Sequence, residues 1–286
     1  MTPGQARLGP EDHDRDAAGL SYVYPVVSRR AEGVSLGVNL NPNNACNWRC
    51  VYCQVPGLVR GRAPEIDLAL LERELRGLLG EIVRGDWLAR HAPVGARRLA
   101  DVAFSGNGEP TSSPQFRAAL ELARSALGEL GLLGRVKLVL ITNGSLVHQK
   151  DVQAGLRVLA GAHGELWFKL DSATDAGMRA LNDVAPGLAR VRANLRTACE
   201  LAPTWIQTCV LAQSGAPPSA AELGAYEDFL RAHLRESTPP RGILLYGIAR
   251  PSHQPEAPEL TRLPAAWLER HAERLRALGL EVRVYP

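Results

Sequence analysis

The stretch 34–53, with the sequence VSLGVNLNPNNACNWRCVYC, decides the fold expected for this chain. Its first part, residues 34–40, is rich in valine and leucine and predicts a β-strand. A polar loop follows and contains Cys46, Cys50 and Cys53, spaced C-x3-C-x2-C. Folds with parallel strands place their reactive side chains at the carboxyl ends of those strands. The stretch therefore predicts the first strand of a parallel sheet with a candidate site directly behind it.

After this stretch, strand and helix patterns alternate along the chain. Strands are predicted at 34–40, 99–104, 135–141, 165–170, 204–211 and 242–246, with a closing strand at 281–285. Helices are predicted at 66–83, 114–127, 146–160, 175–181, 188–201, 220–234 and 263–278. Six strand–helix units in series indicate parallel strands with right-handed crossovers. An open doubly wound sheet and a (β/α) barrel both fit, and a barrel of six units would be partial.

The composition indicates an ordinary globular protein. The 286 residues are 45% hydrophobic and 22% charged, which excludes a disordered chain, a collagen-like repeat and a coiled coil. No apolar stretch approaches the roughly 18 residues that span a bilayer. We therefore expect a cytoplasmic protein without a membrane partner, with a poorly ordered polar segment at 1–20 and one domain over 21–286. The net charge of +3 is too balanced to indicate a nucleic-acid partner by itself.

The five cysteines divide into a cluster of three and two distant residues, Cys199 and Cys209. An odd count with a tight cluster argues against a disulfide framework. Three thiolates can hold a soft metal centre, but structural zinc takes four ligands, so a zinc site needs a remote fourth one. A [4Fe–4S] cluster normally takes four cysteines, and three would leave one iron open. An electron-transfer cluster completed by Cys199 or Cys209 is the other alternative, although packing roles are expected for both.

The cysteine spacing, with the aromatic Tyr52 before the last cysteine, resembles the hallmark of the radical S-adenosylmethionine (SAM) superfamily. The resemblance implies a partial (β/α)6 TIM-type barrel in which Cys46, Cys50 and Cys53 hold a [4Fe–4S] cluster. It also implies that the open iron binds SAM and that reductive cleavage yields a 5′-deoxyadenosyl radical, which abstracts hydrogen from substrate. The expected substrate is a small metabolite or an RNA base, and the expected electron donor is a reductant such as flavodoxin or ferredoxin.

Further segments extend the resemblance to the SAM site. The turn after the second strand resembles the family's GGEP motif, which meets the SAM amino group, with asparagine in place of one glycine; its residues are Gly106, Asn107, Gly108, Glu109 and Pro110. Positions that meet the ribose and the methionine carboxylate are matched by Thr142, Asn143, Lys169, Asp171 and Ser172. Lys169 and Asp171 project to one side of their strand because side chains alternate. An ordinary internal ion pair is the alternative for these two.

The run 26–30 (VVSRR) and the segment 35–40 (SLGVNL) resemble one subgroup of the superfamily. That subgroup contains iron–sulfur oxidoreductases loosely akin to wybutosine-synthesis-type enzymes. Two other functional readings stay open: a glycyl-radical-type activating enzyme that acts on a partner protein, and a non-catalytic iron–sulfur or zinc module. Within the loop after the sixth strand, Arg250 is a candidate to hold a carboxylate or phosphate and His253 to transfer a proton. A solvated loop is the alternative for both.

Overall fold

The computed structural model describes residues 8–9, 19–28 and 30–286. Its strands, in chain order, are β1 (Val23–Ser28), β2 (Gly33–Val38), β3 (Ala45–Cys46), β4 (Val59–Arg60), β5 (Leu99–Phe104), β6 (Lys137–Thr142), β7 (Glu165–Lys169), β8 (Thr204–Cys209), β9 (Ala212–Gln213), β10 (Gly242–Tyr246), β11 (Leu260–Thr261) and β12 (Val282–Tyr285). Within this part of the chain, eight strands form one sheet in the order β1-β2-β5-β6-β7-β8-β10-β12. All neighbours from β2 to β12 are parallel. The sheet curls into a half-barrel, which confirms the predicted partial TIM-type architecture.

Helices cover the outer face of the sheet. Those that the structure describes are α1 (Leu68–Arg84), α2 (Trp87–His91), α3 (Phe116–Glu129), α4 (Lys150–Gly161), α5 (Asp175–Asn182), α6 (Leu188–Leu201), α7 (Ala220–Glu236) and α8 (Ala265–Arg276). In α1, Leu71, Leu75 and Leu79 recur every four residues and are fully buried against the sheet. Outward-facing strand residues such as Phe104 and Leu140 complete this layer. Most of the hydrophobic core therefore lies between the helices and the sheet.

The inner face of the sheet carries a second, smaller apolar cluster. Because side chains alternate along a strand, the neighbours of the outward residues point into the barrel. The cluster consists of Ala103, Val139, Trp167, Trp205 and Leu244. It fills the barrel beneath the carboxyl ends of the strands and leaves space for a site above it.

The edge strand β1, which is antiparallel to β2, was not predicted from the sequence. It contains Pro25, a residue that sheets tolerate at an edge because it lacks a backbone N–H. The strand is held by the buried Glu74 of α1, whose carboxylate accepts the backbone N–H groups of Ser21 and Tyr22 at 2.8 Å and of Val23 at 3.2 Å. A local pattern does not show this anchor because the partners lie far apart in the chain.

The poorly ordered segment expected at 1–20 lies mostly outside the described residues. Leu8, which is described, is buried, and its backbone N–H donates to the His91 carbonyl at 2.9 Å. Among the described helices, none has both the length and the apolar character that crossing a membrane requires.

Gly37 on β2 lies directly beneath the Tyr24 ring, and a Cβ there would sit 2.1 Å from Tyr24 Cζ. We predict that Gly37→Ala lowers the free energy of unfolding by about 2 kcal/mol, because the buried ring must move out of its packed position. The matched control is Gly77→Ala in α1, where no atom lies within 4 Å of the new Cβ. Alanine favours a helix, so the control should gain up to about 1 kcal/mol. Urea unfolding measures both, and equal stability of Gly37→Ala and the wild type would contradict the packing described.

Candidate active site

A cavity of about 290 Å³ opens at the carboxyl ends of the barrel strands. Most residues singled out in the sequence line it: the three cysteines with Tyr52, the turn 106–109, and Asn143, Lys169 and Arg250. These residues come from loops far apart in the chain. The parallel topology brings them together because the parallel strands β2, β5, β6, β7, β8 and β10 of the main sheet end at the same edge.

The cysteine loop begins right after β2 and folds back over the barrel. Its three cysteines are free thiols, and each is half-buried. Cys50 and Cys53 share one turn, in which the Cys53 N–H donates to the Cys50 carbonyl at 2.9 Å. Burial raises the pKa of the Cys46 thiol to about 12 and that of Cys50 to about 11. The thiolate forms that bind metal are therefore favoured only next to positive charge, such as a metal centre supplies.

Arg49, between the first two cysteines, clamps the loop from outside. Its guanidinium makes a bidentate pair with Glu256 at 2.9 and 2.8 Å and contacts Asp183 at 3.1 Å. Arg60 also pairs with Asp183, at 2.8 Å, and donates to the Asn47 carbonyl. Two acidic residues from different loops thus hold the cysteine loop. These ion pairs could not be predicted from the sequence, because no regular spacing marks the acidic residues of the two loops.

The loop after β10 supports the cysteine loop through Ser252 and Gln254. The Ser252 hydroxyl donates to the Val51 carbonyl at 2.7 Å, and the Gln254 amide donates to the Val55 carbonyl at 3.2 Å. His253 lies between them, and its backbone N–H donates to the Cys53 carbonyl at 2.9 Å. Its side chain is exposed and is not part of the cavity wall. The backbone of His253 thus supports the cysteine loop. Its side chain does not reach the cavity, where the predicted proton transfer would take place.

Glu109, in the turn after β5, is almost completely buried and accepts four hydrogen bonds. They come from the Thr111 hydroxyl and backbone N–H at 2.6 and 3.1 Å, the Thr142 hydroxyl at 2.6 Å and the Asn143 N–H at 2.7 Å. Burial raises the pKa of the Glu109 carboxyl, and these hydrogen bonds oppose the rise. Glu109 therefore joins the ends of β5 and β6. Thr142 serves this junction and does not line the cavity, and Pro110 starts the short turn behind it.

The two glycines of this turn permit a close approach of three loops. A Cβ on Gly108 would lie 2.0 Å from the Ala45 carbonyl oxygen, and one on Gly106 would lie 2.4 Å from Asn39 Oδ1. Gly106 also has a φ of +149°. Between them, the Asn107 side-chain amide donates to Asn44 Oδ1 at 2.6 Å. The glycines thus set the 106–109 turn directly against the cysteine loop.

Lys169 and Asp171 lie on the inner side of β7 and just beyond its end, as the alternation predicted. Lys169 Nζ donates to the Tyr246 hydroxyl at 2.8 Å and lies 5.0 Å from the centre of the Tyr52 ring. Asp171 accepts the Tyr52 hydroxyl, the Asn182 amide at 2.8 Å and the Cys209 N–H at 2.8 Å. Burial is the largest influence and lowers the pKa of Lys169, but the combined attraction of Asp171, Tyr246 and the neighbouring cysteines outweighs it, so the net shift is upward. Lys169 faces the cavity, whereas Asp171 braces the cysteine loop from behind it.

Ser172 points away from the cavity, towards α7, where its hydroxyl donates to Glu222 at 2.8 Å. Among the lining residues outside the predicted SAM site are Arg30 and Cys209, for which packing was expected and a place in an electron-transfer cluster was the alternative. Cys209 ends β8 on its inner side, so strand alternation was the signal available for it. Arg30 leaves the hairpin between β1 and β2, whose first strand was not predicted.

The polar groups around the cavity fit the cofactors that the sequence resemblance implies. Asn107 Oδ1 in the wall and Asn182 Oδ1 behind Cys50 are buried acceptors without a hydrogen-bond partner among the described residues. A buried acceptor costs free energy until a donor reaches it, and the amino group of SAM is such a donor. The three thiols face the same space as Asn107. Within the described chain, no three His, Cys, Asp or Glu side chains form a group that could hold a single metal ion.

Comparison with known proteins gives similarity at the level of the fold. No family model matches the chain. A radical SAM methyltransferase from Sphaerobacter thermophilus superposes with a TM-score of 0.56 at 15% identity, over 92% of this chain and 69% of that one. The SAM-bound SuiB protein from Streptococcus suis gives a TM-score of 0.52 at 15% identity, over 90% of this chain and 49% of that one. The chain therefore has the fold seen in these two proteins.

Two curated proteins match parts of the sequence. The UPF0026 protein MJ1312 of Methanocaldococcus jannaschii is 28% identical over 158 residues, which are 55% of this chain and 42% of that protein. GTPase Obg of Brachyspira hyodysenteriae is 23% identical over 134 residues, 47% of this chain and 17% of that protein. The chain thus spans less than half the length of either relative. A phosphate-binding P-loop requires a Gly-Lys pair, and none of the lysines here follows a glycine.

Asp171 provides a direct test of how the cysteine loop is held. We predict that Asp171→Asn lowers the free energy of unfolding by about 3 kcal/mol, because an amide N–H₂ then faces groups that already donate. Tyr52→Phe removes one of the three donors and should cost about 1 kcal/mol. Asp175→Asn, an exposed change in the first turn of α5, is the control and should stay within about 0.5 kcal/mol of the wild type. If Asp171→Asn matched this control in urea unfolding, the bracing role would be wrong.

Proposed function

We propose that this protein is a radical SAM enzyme that holds a [4Fe–4S] cluster on Cys46, Cys50 and Cys53. One observation carries the proposal: three half-buried thiols, spaced C-x3-C-x2-C, and the unpartnered acceptor of Asn107 line one cavity at the carboxyl edge of a half-barrel. Three cysteines match three of the four irons of such a cluster and leave one iron available to SAM. The fold shared with known radical SAM proteins supports the same function.

The cluster and SAM would together supply a 5′-deoxyadenosyl radical, formed when one electron passes to the sulfonium. The protein's own residues bind and orient. Asn107 Oδ1, together with backbone carbonyls of the 106–109 turn, would accept hydrogen bonds from the N–H groups of the SAM amino group. Lys169, held over the Tyr52 and Tyr246 rings, supplies the positive charge that a carboxylate needs. Glu109 and Asp171 are positioning residues. Glu109 fixes the 106–109 turn that carries Asn107, and Asp171 fixes the cysteine loop through Tyr52.

The proposed substrate is a small molecule, because the confined cavity of about 290 Å³ also has to receive the cluster and SAM. The apolar cluster below the cavity limits water around it, which protects a reactive intermediate from side reactions. We propose a reductant such as flavodoxin or ferredoxin as the electron donor. Such a donor would dock near the cysteine loop, where Arg49 and Arg60 contact Asp183 at the surface.

A specific observation favours a second candidate, a non-catalytic electron-transfer module. Cys209 lines the same cavity as the three clustered cysteines and would be the fourth ligand of a closed cluster. Such a cluster would have no open iron and would not bind SAM. Burial raises the pKa of the Cys209 thiol, so the neutral thiol is its favoured form without metal.

The test of the proposed function is anaerobic reconstitution with iron and sulfide, followed by addition of dithionite and SAM. We expect about four irons per chain and formation of 5′-deoxyadenosine and methionine in equal amounts. A full cluster that yields no 5′-deoxyadenosine would rule out the enzymatic proposal.

Cysteine variants separate the two candidates. We predict that Cys46→Ala, Cys50→Ala and Cys53→Ala each lose most of the reconstituted iron, because each removes one of three ligands. Cys209→Ala should keep the wild-type iron content, as should Cys199→Ala, which alters a buried thiol between α6 and α7 near His233. Iron and sulfide analysis measures all five. Loss of the cluster in Cys209→Ala, with retention in Cys199→Ala, would favour the four-cysteine module.

A further inference from the structure

Arg30 brings a guanidinium into the barrel from the hairpin between β1 and β2. The side chain is half-buried and lines the cavity. Its Cζ lies 4.8 Å from the centre of the Tyr246 ring and 5.5 Å from that of the Trp167 ring. Trp167 precedes Lys169 by two residues on the inner side of β7, which places its Cα about 6.6 Å deeper at the usual strand rise. Arg30 therefore reaches the floor of the cavity, below the cysteine loop.

Arg30 has no carboxylate within 4.0 Å among the residues that the structure describes. The acidic groups of the inner face have other partners: Asp101 accepts the Ser35 hydroxyl, and Glu165 pairs with Lys137 at 2.7 Å. Other arginines in contact with barrel aromatics differ in this respect. Arg283, 4.2 Å from the Trp205 ring, is paired with Glu281 at 2.7 Å. Asp101 attracts Arg30 only from beyond 4.0 Å. A half-buried cation without a close counter-ion is costly, so the position is unusual for a purely structural arginine.

The contact with two ring faces orients the guanidinium and leaves its edge available. Cation–π attraction acts through the face of the aromatic ring, whereas the N–H donors of arginine lie in the guanidinium plane. Those donors match the two oxygens of a carboxylate or phosphate in a bidentate pair. A partly desolvated site strengthens such a pair.

We propose that Arg30 binds an anionic oxygen group, a carboxylate or a phosphate, on the small-molecule substrate of this enzyme. The proposal rests on the proposed function, since it assumes that SAM occupies the upper part of the cavity near Asn107 and Lys169. The rings of Tyr246 and Tyr285 line the cavity beside Arg30, so the part of the substrate next to the anion is apolar or aromatic. The floor position favours a molecule that enters whole, because a polymer backbone would have to pass the cysteine loop.

The test measures binding of three isosteric or near-isosteric probes: benzoate, phenyl phosphate and the neutral benzamide. Anaerobic calorimetry uses the reconstituted protein saturated with SAM and without reductant, so that SAM is not consumed. We expect one of the two anions to bind at least about tenfold more tightly than benzamide. The better anion identifies the group, carboxylate or phosphate. No preference for either anion over benzamide in the wild type would overturn the proposal.

Variants assign the preference to Arg30. Arg30→Gln should bring the better anion to the affinity of benzamide, and Arg30→Lys should keep part of the preference because the charge stays without the planar fork. Arg283→Gln is the matched control and should keep the wild-type preference. An unchanged preference in Arg30→Gln overturns the proposal. Loss of SAM affinity in Arg30→Gln without loss of the anion preference would assign Arg30 to the SAM site and overturn it as well.

Cleavage of SAM by the wild type, measured in parallel without probe, separates this proposal from the proposed function. If 5′-deoxyadenosine forms and Arg30→Gln keeps the anion preference, only the role of Arg30 is wrong. If a full cluster gives no 5′-deoxyadenosine, the enzymatic function is wrong, whatever the calorimetry shows for Arg30.

Discussion

The buried carboxylate of Asp171 is the contact on which the rest of the site depends. It accepts hydrogen bonds from Tyr52 in the cysteine loop, from Asn182 at the end of α5 and from the backbone of Cys209 at the end of β8. Asn182 in turn donates to Cys50 Sγ at 3.2 Å. One charged group thus ties the cysteine loop to two neighbouring elements of the barrel. Such hydrogen bonds to a carboxylate are stronger than neutral ones, and removing the acceptor leaves its donors buried and unpaired.

The same carboxylate makes a buried ammonium tolerable next to the cysteines. Burial alone opposes the charge on Lys169, and the attraction of Asp171, together with that of Tyr246 and the neighbouring cysteines, restores it. The cavity therefore has cations on its wall, at Lys169, and on its floor, at Arg30, while the buried carboxylates of Glu109 and Asp171 are engaged in hydrogen bonds that brace the loops. A site built in this way attracts anionic groups without needing to rearrange, because its charges are held by hydrogen bonds and aromatic rings.

Sequence patterns predicted the parallel half-barrel because strands such as Leu99–Phe104 are short, largely apolar runs and helices such as α1 keep an apolar period. The same patterns predicted that Cys46, Asn107 and Lys169 lie close together, because each follows or ends a parallel strand, and all three line one cavity. They did not predict β1, where Pro25 weakens the strand pattern, and so they gave no location for Arg30. The roles of Thr142, Asp171 and Ser172 also depend on partners 33 to 119 residues away, such as Glu109 and Tyr52, which local patterns cannot show.

The central claim is that three cysteines hold a cluster with one iron open to SAM. Electron paramagnetic resonance of the reduced, fully reconstituted protein tests it most directly, recorded with and without SAM. The account predicts that SAM changes the g-values of the cluster signal, because its amino and carboxylate groups bind the open iron. A signal that stays identical at saturating SAM, in protein with a full complement of iron, would contradict the account.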